Sequence, residues 1–132
     1  AAIGGFKTQG KTAAAVRLLL EDARALEEAG CFSLVLEAMP AEAGAALTRA
    51  VSMPTIGIGA GPHTDGQVLV WHDVLGLFDR FTPRFVKRYA ELGGDARTAL
   101  TAYCTEVREG SFPGEDQTTH MDPDEAESLQ DI

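Results

Sequence analysis

One stretch constrains the fold more than any other: Ser33-Leu34-Val35-Leu36-Glu37-Ala38-Met39-Pro40. A nearly unbroken apolar run ends in a single carboxylate and is then stopped by proline. Runs of this length, with helical patterns on either side, read as strands of a parallel sheet buried on both faces. Glu37 then falls at the C-terminal end of its strand, the edge where α/β folds bind ligands and do chemistry. Desolvation at such an edge suits a carboxylate to general-base work. The plainer reading is a strand-end Glu that points into water. A buried carboxylate is uncommon without a reason, so Glu37 is the candidate catalytic residue.

The flanking patterns place this strand. Thr12 is a plausible N-cap for a helix over residues 13–29, whose apolar positions Val16, Leu19, Leu20, Ala23 and Leu26 recur at three and four residues. Gly30 stops that helix, and the strand is expected over residues 32–39. A short Ala-rich helix follows at about 41–51, ended by Met53-Pro54. A second strand is expected at 55–61, where Gly57, Gly59 and Gly61 imply that another backbone or a ligand comes close. A third strand candidate covers 67–72 and ends in His72-Asp73. Pro83 fits the first turn of a helix running to about Leu92, with Phe85, Val86 and Tyr89 on its inner face. Gly93-Gly94 breaks it, and Asp95 caps a further helix to about Glu109, stopped by Gly110.

The order of helices and strands is that of an α/β protein built from βαβ units around a parallel sheet. Three strands are too few for a doubly wound domain, and neither sheet edge is protected. The expected resolution is the C-terminal part of a (β/α)8 TIM barrel, with parallel strands and flanking helices; a whole barrel runs to about 250 residues. Residues 1–114 would form this half-barrel, and residues 115–132, acidic and with little to bury, a disordered tail. The chain has 132 residues, 45% apolar and 23% charged, so it can bury a core. It opens on Ala1 rather than Met, which suggests a processed or truncated product or half of something longer.

A net charge of −9 argues against nucleic acid and against an anionic membrane surface as partners. No apolar run approaches the roughly 20 residues of a membrane span. No signal-peptide architecture opens the chain, and a cytoplasmic location is expected. Cys31 and Cys104 lie far apart without CxxC spacing. They signal neither zinc nor a disulfide, and read as small buried apolar residues in a reducing compartment.

Several motifs compete with this reading. Gly5-Phe6-Lys7-Thr8-Gln9-Gly10-Lys11-Thr12 fits the phosphate-loop pattern G-x-x-x-x-G-K-[ST] and opens a helix. A P-loop needs a complete buried strand before it, and Ala1–Ile3 is barely the tail of one. Phe6, Lys7, Thr8 and Gln9 are also bulky for a backbone cradle. A P-loop-like nucleotide binder is therefore kept only as an alternative. Gly57-Ile58-Gly59-Ala60-Gly61 does not open a helix as a dinucleotide fingerprint must. His72-Asp73 reads as a structural hydrogen-bonded pair rather than a catalytic or metal-binding one. Turn chemistry accounts for Asp65 beside His63.

Taken together, the blocks resemble a known family. Gly4–Lys11, Leu34–Pro40, Pro54–Gly61, Asp65–Asp73, Phe85–Ala90 and Phe112-Pro113-Gly114 are similar, in order and spacing, to the C-terminal half of the ketopantoate (3-methyl-2-oxobutanoate) hydroxymethyltransferases. The resemblance implies a (β/α)8 barrel enzyme of pantothenate biosynthesis. It implies transfer of a hydroxymethyl group from 5,10-methylenetetrahydrofolate to 3-methyl-2-oxobutanoate, giving 2-dehydropantoate. It implies a Mg²⁺ ion that chelates the α-keto acid and stabilises the enolate, with Glu37 as the base that takes the C3 proton. Ile58, Val68 and Val70 match apolar positions near the substrate's branched end, although a barrel core would use the same residues. The glycine-rich block becomes a loop over the active-site face, with no phosphate for Lys11 to hold.

The resemblance also has gaps. The family's metal ligands and substrate-carboxylate contacts belong to its N-terminal half, so no metal ligand is expected here and the isolated chain is expected to be inactive. The partners implied are a small α-keto acid and a folate, within a homo-oligomer. The acidic extension after Glu115-Asp116-Gln117 departs from the family pattern and is expected to be dispensable. A second alternative is a non-catalytic half-barrel remnant that binds a partner through its strand edges.

Overall fold

A computed structural model of the chain describes residues 8–128. The strand tail expected at Ala1–Ile3, and Gly4 to Lys7 of the glycine-rich block, lie outside the described residues. The first helix, α1 (Ala13–Glu28), starts where its sequence says it should. Thr12 is extended, and its hydroxyl accepts the Ala15 N–H at 3.1 Å. The far end closes as a Schellman motif on Gly30, at φ +91°. There Gly30 N–H donates to the Glu27 carbonyl at 2.9 Å and Cys31 N–H to the Leu26 carbonyl at 3.0 Å.

The chain then alternates as an α/β protein. Strands β1 (Leu34–Glu37), β2 (Thr55–Ile58) and β3 (Gly66–Gln67) form a parallel three-stranded sheet in the order β1-β2-β3, with helix α2 (Ala41–Ala50) linking β1 to β2. The register sets Leu34 beside Thr55 and Glu37 beside Ile58, then Ile56 beside Gly66. A helical turn, α3 (Trp71–Val74), follows, and later α4 (Leu92–Glu109), a 3₁₀ turn (Glu115–Gln117) and α5 (Pro123–Ser128). The chain divides into two compact units between Glu91 and Leu92. This arrangement is compatible with part of a TIM barrel.

The core of the first unit lies on one face of the sheet. Leu36 of β1 packs with Ala23 of α1, Leu47 of α2 and Ala60, with Leu19, Leu20, Leu34, Met39 and Val51 around them. Helix α2 approaches so closely that a Cβ at Gly44 would collide with the Ala60 carbonyl oxygen. That contact explains the run of small buried residues Ala43, Gly44 and Ala45. On the opposite face Val35 is 58% exposed, Glu37 is exposed, and Ile56 and Ile58 are half-buried. The expectation of a strand buried on both faces therefore holds for one face only.

Several elements differ from their sequence patterns. Strands β1 and β2 are shorter than the apolar runs that contain them, because Ala38 and Gly59 both turn into the left-handed region. The third strand is confined to Gly66–Gln67, since Asp73 and Val74 both return their N–H groups to the Val70 carbonyl and wind the chain into α3. No helix starts at Pro83. The Arg88 guanidinium instead donates to the Phe78 carbonyl at 2.8 Å, the Thr82 hydroxyl at 2.6 Å and the Glu91 carboxylate at 3.1 Å. Those bonds hold residues 78–91 in an irregular loop, tied back by Tyr89 N–H to the Val74 carbonyl.

In the second unit α4 runs straight through Gly93-Gly94 rather than breaking there. Two glycines cost a helix only about 1 kcal/mol each, and fifteen further helical residues follow. Gly110, at φ +74°, ends it as expected. Tyr103 meets Phe112 edge-on, with ring centroids 5.4 Å apart. Residues 115–128 carry the 3₁₀ turn and α5, all exposed. Cys31 and Cys104 are exposed free thiols, not the buried residues their composition class suggests. Among the described residues, no helix is long and apolar enough to cross a membrane.

Two glycines with opposite surroundings test this packing. Gly44→Ala is expected to lower the free energy of unfolding by about 1–3 kcal/mol, because the new methyl has no room. Gly94→Ala has nothing within 4 Å of its new methyl, and is expected to be neutral or stabilising by up to about 1 kcal/mol. Urea denaturation followed by circular dichroism measures both.

Candidate functional site

The C-terminal edge of the sheet brings three of the four sequence-derived site residues into one row. Register sets Glu37 directly beside Ile58. Val68 N–H donates to the Gly57 carbonyl at 3.0 Å, which carries the β2–β3 pairing one residue past β3. Side chains alternate along a strand, so Val68 stands level with Ile58 and on the same face. One carboxylate thus heads a row of branched apolar side chains. Val70 lies beyond this row, extended and 50% exposed, as the residue that leads into α3. Such a row presents one proton acceptor beside apolar surface. The described residues leave Glu37 exposed, so they do not supply the enclosure expected around it.

The backbone at this edge is tightly tied. Ala38 N–H donates to the Ile58 carbonyl at 2.9 Å, and Met39 N–H to the Gly59 carbonyl at 3.0 Å. The Ala38 carbonyl accepts the Gln9 N–H at 3.0 Å, which fastens the end of the glycine-rich block to the strand end. The close neighbours expected around the glycines of β2 are protein side chains. A Cβ at Gly57 would lie 2.6 Å from Thr64 Oγ1, one at Gly59 would enter the Phe85 ring, and one at Gly61 would strike Ala41. Gly59 and Gly61 also sit at φ +68° and +81°, which side chains other than glycine rarely adopt. A shallow groove between Gly61, Pro62, Gln67 and Phe85 opens beside them.

Two carboxylates that sequence reasoning did not single out as anchors hold the sheet from the other end. Thr55 is fully buried. Its N–H and hydroxyl donate to Asp65 Oδ2 at 2.8 and 2.9 Å, and the Thr48 hydroxyl lies 2.9 Å from its own. Asp65 therefore fastens the loop before β3 to the start of β2, rather than serving its own turn. The Thr55 N–H, then the Thr55 hydroxyl, hold the Asp65 carboxyl below its ordinary range. Glu27, on the last turn of α1, accepts the Ser52 hydroxyl and N–H at 2.6 Å each and the Met53 N–H at 3.1 Å. Those bonds, led by the Ser52 hydroxyl, hold it low as well. A polar contact 25 residues away has no local sequence signal.

The remaining candidates are dispersed. The His72 ring lies against Trp71, centroids 3.9 Å apart and planes tilted by 44°, and among the described residues no hydrogen bond joins it to Asp73. His63 is exposed in its loop. His120 pairs with Glu115 at 2.7 Å in the second unit. Thr12, the hydroxyl of the phosphate-loop pattern, is engaged as the cap of α1. Among the described residues, no group of three or more His, Cys, Asp or Glu side chains could hold a metal ion.

A parallel three-stranded sheet flanked by helices, with a carboxylate at its C-terminal edge, defines the class as an α/β protein. Residues 1–115 match the family model of ketopantoate hydroxymethyltransferase, and the chain belongs to that family. It is 63% identical over 125 residues to the 3-methyl-2-oxobutanoate hydroxymethyltransferase of Oleidesulfovibrio alaskensis, covering 95% of this chain and 43% of that protein. It is 57% identical over 132 residues to the protein of the same name from Syntrophobacter fumaroxidans, covering 100% of this chain and 47% of that one. For Heliobacterium modesticaldum the identity is 54% over 129 residues, covering 98% and 46%. The chain thus spans less than half the length of these relatives.

The Asp65 anchor has a pH signature. A carboxyl held low in the fold contributes stability that is complete above its unfolded value near 3.8 and is lost as pH falls through its folded value. Urea midpoints are expected to hold from pH 7 to about pH 5 and then fall with acid. Asp65→Asn is expected to lower the neutral-pH midpoint and flatten that decline.

Proposed function

We propose that this chain supplies the general base and the apolar wall of a ketopantoate hydroxymethyltransferase site, and that the remaining wall comes from the rest of a complete TIM barrel. The observation that carries the reading is the register that sets Glu37, Ile58 and Val68 side by side at the C-terminal edge. Family membership and the names of the relatives support the substrate, 3-methyl-2-oxobutanoate. Its branched end would lie against Ile58, Val68 and Val70, with the C3 hydrogen toward Glu37.

Glu37 takes the C3 proton, and the resulting carbanion forms a carbon–carbon bond to the methylene carbon of 5,10-methylenetetrahydrofolate. As the two C–N bonds of the methylene carbon break, water supplies the hydroxyl oxygen, the C3 proton and one proton of water end on the two nitrogens of the departing tetrahydrofolate, and the product is 2-dehydropantoate. The family's Mg²⁺ belongs to the same proposal; among the described residues no cluster of side chains could hold it, and its ligands are proposed to lie in the family's N-terminal half. In a complete barrel the open sheet face would be covered by the other strands. A homo-oligomer in the cytoplasm completes the reading.

The open face supports one further reading, a non-catalytic half-barrel that uses it to hold a partner. A chimera separates the two, with this chain replacing the corresponding segment of the Oleidesulfovibrio alaskensis relative. Hydroxymethyl transfer by the chimera, and none by the isolated chain, is the expected result. Glu37→Gln in the chimera is expected to lower turnover by about 10²–10⁴-fold. An inactive but folded chimera would favour the partner-binding reading, and unchanged turnover in Glu37→Gln would remove Glu37 from the mechanism.

A further inference from the structure

We infer that Ala38 is a positioning residue: its left-handed backbone aims the Glu37 carboxylate. Among the described residues it is the one non-glycine residue at positive φ, +50°, and it directly follows the proposed base. L-residues with a Cβ avoid this region, and where they occupy it the surroundings hold them there. Here both peptide groups of Ala38 are held. Its N–H is on the Ile58 carbonyl, its carbonyl takes the Gln9 N–H, and the next N–H, of Met39, is on the Gly59 carbonyl. Pro40 then restricts Met39 from the other side.

The consequence is geometric. An extended residue at 38 would carry the chain onward along β1. The left-handed turn ends the strand one residue after the carboxylate and sends the chain into α2, so Glu37 is the last side chain on the open face. Three backbone hydrogen bonds then leave the Glu37 Cα–Cβ direction little freedom. The base is exposed and no side-chain hydrogen bond to it is seen among the described residues, so the backbone is what fixes the direction in which its side chain leaves the strand. Alanine rather than glycine at 38 narrows the alternatives open to that backbone.

This inference rests on Glu37 being the base, and the test keeps the two apart. In the chimera described above, exchange of the C3 hydrogen of 3-methyl-2-oxobutanoate with D2O is followed by NMR without folate, beside kcat and KM for the full reaction. Ala38→Val, whose branched side chain disfavours the left-handed region, is expected to reduce both exchange and kcat at least about tenfold with KM little changed. Ala38→Asn, of similar bulk but tolerant of that region, and Ala38→Gly are expected to recover most of that loss.

Equal losses in the Asn and Val variants would mean that side-chain size matters rather than backbone hand, and would overturn the inference. Full exchange in Ala38→Val would do the same. Should Ala38→Val fail to fold, the Asn variant still decides the matter, since loss of exchange there overturns the inference. Glu37→Gln is measured alongside. Intact exchange in that variant would remove the base itself, whereas lost exchange there with normal exchange in Ala38→Val would remove only the positioning role.

Discussion

The parallel pairing of β1 with β2 is the constraint on which the rest depends. Leu34 beside Thr55 at one end, and Glu37 beside Ile58 at the other, leave no latitude for slippage. A shift by one residue would exchange the faces, moving Glu37 under the helices and Leu36 into the open. The helices enforce the same choice, since Leu36 is locked among Ala23, Leu47 and Ala60. Packing on the covered face therefore decides which residues appear on the other. The position of the carboxylate is an indirect product of a hydrophobic core it does not touch.

Much of this was readable from the chain itself. Thr12, the apolar stripe of α1 and Gly30 announce a helix with both ends marked, because capping is local chemistry. The run at 33–40 announces a strand, and the glycines of 57–61 announce close approach. The row at the sheet edge could be anticipated only in part. The pattern of its own strand singles out Glu37, the family resemblance adds Ile58 and Val68, and register is what shows them to be neighbours.

What the chain concealed has a common cause. Asp65 on Thr55 and Glu27 on Ser52 join residues 10 and 25 positions apart, and a pattern read along the sequence carries no trace of such partners. The loop at 78–91 looked helical from Pro83 and its apolar spacing. Arg88, reaching three acceptors at once, outweighs that weak local preference. Cys31, just past the end of α1, and Cys104, within α4, are both exposed; residue type says where cysteines usually lie and nothing about these two places.

The sheet is clothed on one side only, and the bare side holds both its sticky aliphatic surface and its acid. Whatever segment shields Val35 and Ile56 from water must also wall the space above Glu37.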